Sequence, residues 1–283
     1  MGESDKILKF TPDKLRELQL KGLEILLYFK EFCEKHKLTF FFCGGCCIGT
    51  LRHKGFIPWD DDVDVFMPRD DYEKLYVLWN KYADTKRYSC NRTNEKEYFG
   101  NIMTSITDNN TTLIRPWQKG KDGAKGVMLD VIPLDGCAPS GLPRKMQKIW
   151  ALIFSLYCSG MVPVNHGKFM SILGKLLLSV FPTRRLKNKI WRFAEKQMTK
   201  YKICDSDYIT ELCTGPGYMK NEYPKEIFSS VVYKEFENYM MPIPVGYDKY
   251  LKMAFGDYMK LPPAEKQVPH HDAIFMDLNH RKW

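Results

Sequence analysis

The sequence predicts an α+β fold with an added helical segment, and three observations predict it. Short apolar strand runs separated by glycine turns fill the first half. An amphipathic helix precedes them. From about residue 141 the pattern changes to consecutive helices with few strand signals. The chain has 283 residues, enough for one large domain or a domain with a sizeable insertion. Its 44% hydrophobic content fits an ordinary globular core.

In order, Thr11-Pro12 reads as an N-cap followed by proline at the first helical position. Leu15, Leu18, Ile25, Leu26, Phe29, Phe32 and Cys33 recur at three- and four-residue steps, so residues 13–36 form an amphipathic helix. Leu38 to Cys43 reads as a buried strand, broken by Gly44-Gly45, and a short helix to about Arg52 follows. Residues 62–67 form the next strand, and Asp70 or Asp71 caps a helix to about Tyr82. Residues 102–107 and 127–132 are further strands, with a turn at 120–123 and a loop at 133–143. Helices are expected at 146–163, 169–181 and 184–201, punctuated by Pro163, Gly167 and Pro182, and a strand at 208–213. The organisation is therefore a core at 1–140, a basic and apolar helical insertion at 141–205, and a C-terminal part at 206–283 that completes the core.

Charge and cysteines narrow the function. The net charge is +9, yet residues 141–202 hold thirteen Lys or Arg against one acid, Glu195. Basic character is thus local. Apolar helices beside Arg144, Lys145, Lys148, Lys168, Lys175, Arg184, Arg185, Lys187, Lys189 and Arg192 suit either peripheral contact with an anionic membrane or a solvated helical subdomain. These helices are too short and interrupted to span a bilayer. No nucleic-acid motif is present, and an acidic site would repel a phosphate backbone. Nine cysteines at irregular spacing, behind a polar Met1–Lys6, indicate reduced thiols in a cytoplasmic protein. Cys43-Gly-Gly-Cys46 has dithiol spacing, but Cys43 ends an apolar run and the glycines suit a phosphate turn.

The densest chemistry lies between Phe41 and Val65. A Gly-Gly turn, a basic triplet (Arg52, His53, Lys54) and four acids (Asp60, Asp61, Asp62, Asp64) fall within two dozen residues. Acids this close repel one another unless a cation sits among them. Val63 and Val65 alternate with Asp62 and Asp64, so both carboxylates share one strand face, about 7 Å apart. That spacing suits a hard divalent cation. Asp130, inside the apolar run 126–132, needs a partner to justify its burial. Asp135, past Pro133, reads as a loop cap. Trp59 and Phe56 read as packing under the acid loop, the alternative being that they stack on a ligand's base or cationic group.

Gly44-Gly45, Leu51-Arg-His-Lys-Gly-Phe-Ile-Pro-Trp-Asp-Asp-Asp-Val-Asp-Val65, Met67-Pro-Arg-Asp-Asp-Tyr72, Gly126–Gly136 and Tyr258–Lys266 with His270-His271 together resemble the LicD family of phosphocholine and related phospho-alcohol transferases. The resemblance spans roughly residues 15–278. It implies a nucleotidyltransferase-like mixed β-sheet core flanked by helices. It implies Mg²⁺, or Mn²⁺, held by Asp62, Asp64 and Asp130, with Asp130 also able to accept the proton of an attacking hydroxyl. It implies that Gly44, Gly45, Arg52, His53, Lys54 and Asp61 contact substrate, and that His270 or His271 returns to the site. The donor implied is CDP-choline or a related CDP-alcohol. The acceptor is a sugar hydroxyl of a cell-surface polysaccharide or glycolipid, reached from the inner face of the membrane. Transfer of glycerol or ribitol phosphate, nucleotidyl transfer, and a catalytically dead membrane-associated binding protein are the rival readings. Cys46 departs from the threonine common after Gly-Gly in relatives, which removes a hydroxyl donor.

Overall fold

The computed structural model describes residues 7–119, 123–162, 167–181 and 183–283, without the side chains of 167–171 and 173. The expected turn at 120–122, Pro163, Pro182, the side chain of Lys168 and the polar start at Met1–Lys6 lie outside the described residues.

Along the chain the elements are α1 (Pro12–His36), β1 (Phe41–Phe42), α2 (Gly44–Arg52), β2 (Asp64–Pro68), α3 (Arg69–Tyr82), β3 (Tyr88–Asn91), β4 (Thr104–Asp108), β5 (Thr112–Ile114), β6 (Met128–Gly136), α4 (Leu142–Ser159), α5 (Gly167–Val180) and α6 (Arg184–Met198). They continue with β7 (Tyr208–Thr210), β8 (Tyr223–Pro224), β9 (Val231–Phe236), β10 (Tyr239–Pro244), α7 (Tyr247–Phe255) and β11 (Phe275–Asp277). This is the α+β class the sequence predicts. The chain divides into two compact units: residues 1–91, 105–131 and 226–283, and residues 92–104 and 132–225.

In the first unit, α1 starts where its cap is written. Thr11 accepts from the Lys14 amide, and Lys37 closes the helix in the left-handed region. Its buried stripe of Leu18, Ile25, Leu26, Phe29 and Phe32 packs into the core, with Phe32 4.6 Å from the Trp79 ring of α3. The sheet order is β1-β2-β6-β4-β3. β1 is antiparallel to β2, pairing Phe41 with Phe66, and β3 is antiparallel to β4. The first strand shrinks from the expected 38–43 to Phe41–Phe42, because the Leu38 amide closes α1 on the Cys33 carbonyl and the Thr39 amide binds Asp71. Asp71 thus ties down a loop, and α3 begins at Arg69 without a side-chain cap.

The hairpin β9–β10 is absent from the sequence reading. Its two-residue turn, Glu237-Asn238, has φ of 51° and 66°, the backbone of a type I′ turn without its usual glycine. β11 pairs antiparallel with β5, setting Phe275 opposite Ile114.

In the second unit, β6 runs through Pro133 to Gly136 where a loop is expected. Proline removes one donor but not the ladder, and Asp135 and Gly136 pair with Thr210 and Ile209 of β7. Asp135 is therefore a buried strand residue, not a loop cap. α4 and α6 share a core of Phe154, Tyr157, Trp191, Ala194 and Met198. Arg144 is not on a surface. It is buried, binding Glu222, Gln147, Thr210 and the Met219 carbonyl. Ile172, Leu176 and Val180 of α5 are exposed. Among the described residues no helix is long and apolar enough to cross a membrane.

Glu211 is buried against Tyr223 and Asn221, and burial pushes its carboxyl up to about 7. A raised acid stabilises the fold below its unfolded value and loses that contribution as pH rises through the folded one. From 4.5 to about 7 the loss approaches 3 kcal/mol. Glu211→Gln should flatten this: its melting temperature will fall less than wild type's between pH 5 and 8, by calorimetry.

Candidate active site

The acids sit on the loop between α2 and β2, and three devices shape that loop. Gly49 passes under the Gly55 carbonyl, where a Cβ would collide. The Phe56 amide donates to Glu237 in the hairpin turn, and Arg16 clamps the same carboxylate with two nitrogens. Buried Gln19 of α1 donates to the carbonyls of Ile57 and Asp60, at 3.1 and 2.9 Å. Gln19→Ala strips the buried Asp60 carbonyl of its donor and leaves the Ile57 carbonyl with only the Asp60 amide. It should cost about 2 kcal/mol in urea unfolding and weaken divalent-metal binding, whereas an unchanged melt would show the loop holds itself.

Sheet pairing brings the fourth and fifth elements of the site together. The Asp130 amide donates to the Val63 carbonyl at 2.9 Å, so β6 sets Asp130 beside the run that carries Asp62 and Asp64. Ser105 of β4 donates its hydroxyl to the Asp130 carboxylate. β2 begins at Asp64, so Asp62 lies just ahead of the strand rather than within it. The buried Asp60 carboxylate lies against the α carbon of Gly45, where any side chain would strike it. That contact is why the second glycine is required.

The electrostatics describe one coupled cluster. Burial, then Asp62 and Asp61, push the Asp60 carboxyl up to about 8. Burial, then Asp62, Asp130 and Asp60, push Asp64 well above the carboxylate range. Burial also raises Asp62 and Asp130, against Arg115 and His271. Asp61 goes the other way: burial works to raise it, but His271, Arg115 and the His270 amide outweigh that and hold it low. Both its oxygens are engaged, by the His270 and His271 amides at 3.1 and 3.2 Å and by His271 Nδ1 at 3.3 Å. Asp61 thus anchors the C-terminal segment.

His271 presents its ring to the acids, with Nδ1 3.3 Å from Asp62 as well. The Asp61 bond, against burial, raises its imidazole. Asp61, Asp62 and His271 offer ligand atoms all within 4.8 Å of one another. This set shares only Asp62 with the expected Asp62, Asp64 and Asp130, the other two being joined to it through their mutual repulsion. Five carboxylates, four raised by burial and neighbouring acids and one held low, beside Arg115 and His271, are an oxygen-rich donor set that a hard divalent cation fits.

The glycine turn and the basic triplet divide. Gly44 takes φ +48°, and its amide donates to the Tyr250 hydroxyl at 3.1 Å. The amides of Gly45 and Cys46, in the first turn of α2, have no acceptor inside the helix. Cys46 is buried beneath the acids; burial, then Asp60, pushes its thiol well above the ordinary value, which suits packing and not redox chemistry. Arg52 binds the Tyr258 carbonyl at 3.0 Å and lies 5.8 Å over the Trp59 ring, so it tethers the segment leading to the histidines. His53 meets Trp59 edge-on and Arg52 Nε. Lys54 turns away to Glu235 of β9, at 3.7 Å, and is exposed.

The sequence reading passed over Arg115, Ser105 and Tyr250. Arg115 stands directly after β5, 3.8 Å from Asp61 Oδ2 with its side chain 11% exposed. Its signal was a lone arginine closing a three-residue apolar strand before Pro116, too short to register by periodicity.

The chain is similar to known proteins. A family model described as the LicD/FKTN/FKRP nucleotidyltransferase domain matches residues 37–134. The lipopolysaccharide cholinephosphotransferase LicD of Haemophilus influenzae is 35% identical over 266 residues, covering 91% of this chain and 96% of that protein.

Proposed function

Because the chain belongs to the LicD family, we propose that it transfers phosphocholine from a CDP-linked donor to a sugar hydroxyl of lipopolysaccharide or a similar cell-surface glycolipid. The observation that carries the reading is the buried acid cluster: the Asp130 amide bonds the Val63 carbonyl between Asp62 and Asp64, and the ligand atoms of Asp61, Asp62 and His271 lie within 4.8 Å of one another.

Asp62, Asp64 and Asp130 would hold Mg²⁺, or Mn²⁺ in its place, with His271 and Asp61 at the edge of the same cluster. A bound divalent ion supplies charge neutralisation for the donor phosphates. The chain's own residues do the rest. The acceptor oxygen forms a bond to the phosphorus that bears choline, and the bond from that phosphorus to CMP breaks. The hydroxyl proton passes to a carboxylate of the cluster, Asp130 being the assigned acceptor. Arg115 faces the charge that develops on the leaving phosphate, and the first-turn amides of α2 bind phosphate oxygens. Asp61 and Arg52 hold the His270-His271 segment against the site. Residues 1–140 with 206–283 form the catalytic part in this reading. The basic helices of 141–202 seat it on the inner membrane surface near its acceptor.

A panel of CDP-alcohols with Mg²⁺ tests the reading. CDP-choline should release CMP fastest when the glycolipid is present. Faster release from CDP-glycerol or CDP-ribitol would overturn the choline assignment, and release from none would overturn the transferase reading.

A further inference from the structure

A cavity of mixed apolar and polar lining is formed by residues of the second unit. Its volume is about 270 Å³. Arg184, Lys187, Asn188 and Trp191 of α6 line it at positions i, i+3, i+4 and i+7, one stripe of the helix. Such a stripe normally carries apolar residues to a neighbour. Here two cations and an amide occupy it, alongside Tyr98 and Tyr157; among the described residues no carboxylate lines the cavity, although Glu97 meets the lining Asn94 amide at 3.4 Å.

The walls are preorganised. The Arg184 guanidinium donates to the Lys96 carbonyl at 3.0 Å and sits 5.8 Å over the Tyr98 ring. A guanidinium has five donors, so this leaves others for a ligand. Tyr98 is seated by Gly160, where a Cβ would collide with its hydroxyl. The Tyr157 hydroxyl donates to the Leu177 carbonyl of α5, whose Leu176 and Val180 are exposed. The amide oxygen of Asn188 is buried without a hydrogen-bond partner, so a small rotation toward a ligand hydroxyl would satisfy it.

We propose that this cavity binds a phosphorylated sugar ring. Arg184 and Lys187 supply the charge for a phosphate. Asn188 meets ring hydroxyls, and the aromatic faces of Tyr98, Tyr157 and Trp191 pack on the apolar side of the ring. The volume lies just under the roughly 300 Å³ at which drug-sized pockets begin, which suits one ring and not a nucleotide. The exposed apolar residues of α5 fit the ligand's being the headgroup of a lipid. The site is separate from the acid cluster and does not rest on the transfer reaction.

The experiment is calorimetric titration of the full chain in chelator, which silences divalent-metal phosphate binding. Glucose 1-phosphate, glucose and inorganic phosphate are compared, and a phosphate-bearing glycolipid in vesicles is set against anionic phospholipid vesicles. Glucose 1-phosphate should bind saturably and at least about tenfold more tightly than phosphate or glucose alone. The double variant R184Q/K187Q, at surface positions, should lose at least about tenfold. Gly160→Ala, which displaces Tyr98 without changing charge, should lose affinity too. Tighter binding of the glycolipid than of either glucose 1-phosphate or plain anionic vesicles would identify a lipid-borne ligand; equality with glucose 1-phosphate would identify a soluble one. Equal affinity for inorganic phosphate, undiminished binding in R184Q/K187Q, or binding only to anionic vesicles would each overturn the proposal.

Discussion

Asp64→Asn should abolish transfer, lowering CMP release by at least about 10³-fold, and should leave the metal-free protein no less stable than wild type. The two halves have one cause. Asp64 is raised well above the carboxylate range by burial and then by Asp62, Asp130 and Asp60. Ionised, it repels them. As the amide it does not, so in chelator the variant's melting temperature should match or exceed that of wild type. In Mg²⁺ the order should reverse, because wild type gains stability from an ion that the variant binds poorly. Lost activity with a lower melting temperature in chelator would mean that Asp64 is a structural residue. Retained activity would remove the acid cluster from the chemistry.

Arg115→Gln should be nearly as damaging, by a different route. Arg115 opposes the rise of Asp62, Asp64 and Asp130 and helps to hold Asp61 low. Removing that charge leaves buried acids uncompensated, so stability should fall by about 3 kcal/mol in chelator. Added Mg²⁺ should restore part of it. Transfer should fall by about 10²-fold or more, and Arg115→Lys should recover stability better than rate, since an ammonium supplies charge without the planar fork. A variant with full activity and an ordinary melt would show that Arg115 is a surface cation that happens to lie near Asp61.

Much of the first half of this architecture was legible from residues alone. The caps and stripe of α1, the break at Gly44-Gly45, α2 and the strand that begins at Asp64 follow local rules, while Asp62 falls just ahead of that strand. Legibility failed where the deciding interaction was distant. β5 and β11 are three residues each and exist because they pair with one another across the length of the chain. Arg115 was invisible for the same reason. The β9–β10 hairpin turns on Glu237-Asn238, which take positive φ without glycine because Arg16 and the Phe56 amide hold Glu237. The basic triplet misled differently: proximity in sequence to the acids suggested shared work, whereas the helix end at Arg52 sends Lys54 to the hairpin. His270 and His271 could not be separated by sequence, since only the register set by Asp61 decides which ring faces inward.

The anchoring of His271 by Asp61 also has a consequence for biosynthesis. The two residues are 210 apart. At ordinary elongation rates roughly 10 to 40 s separate their emergence from the ribosome. For most of that interval the nascent chain carries its aspartates with Arg115 but without His271, and early capture of a divalent ion would add to that one arginine's compensation. Maturation of this enzyme during translation should therefore be sensitive to cellular magnesium.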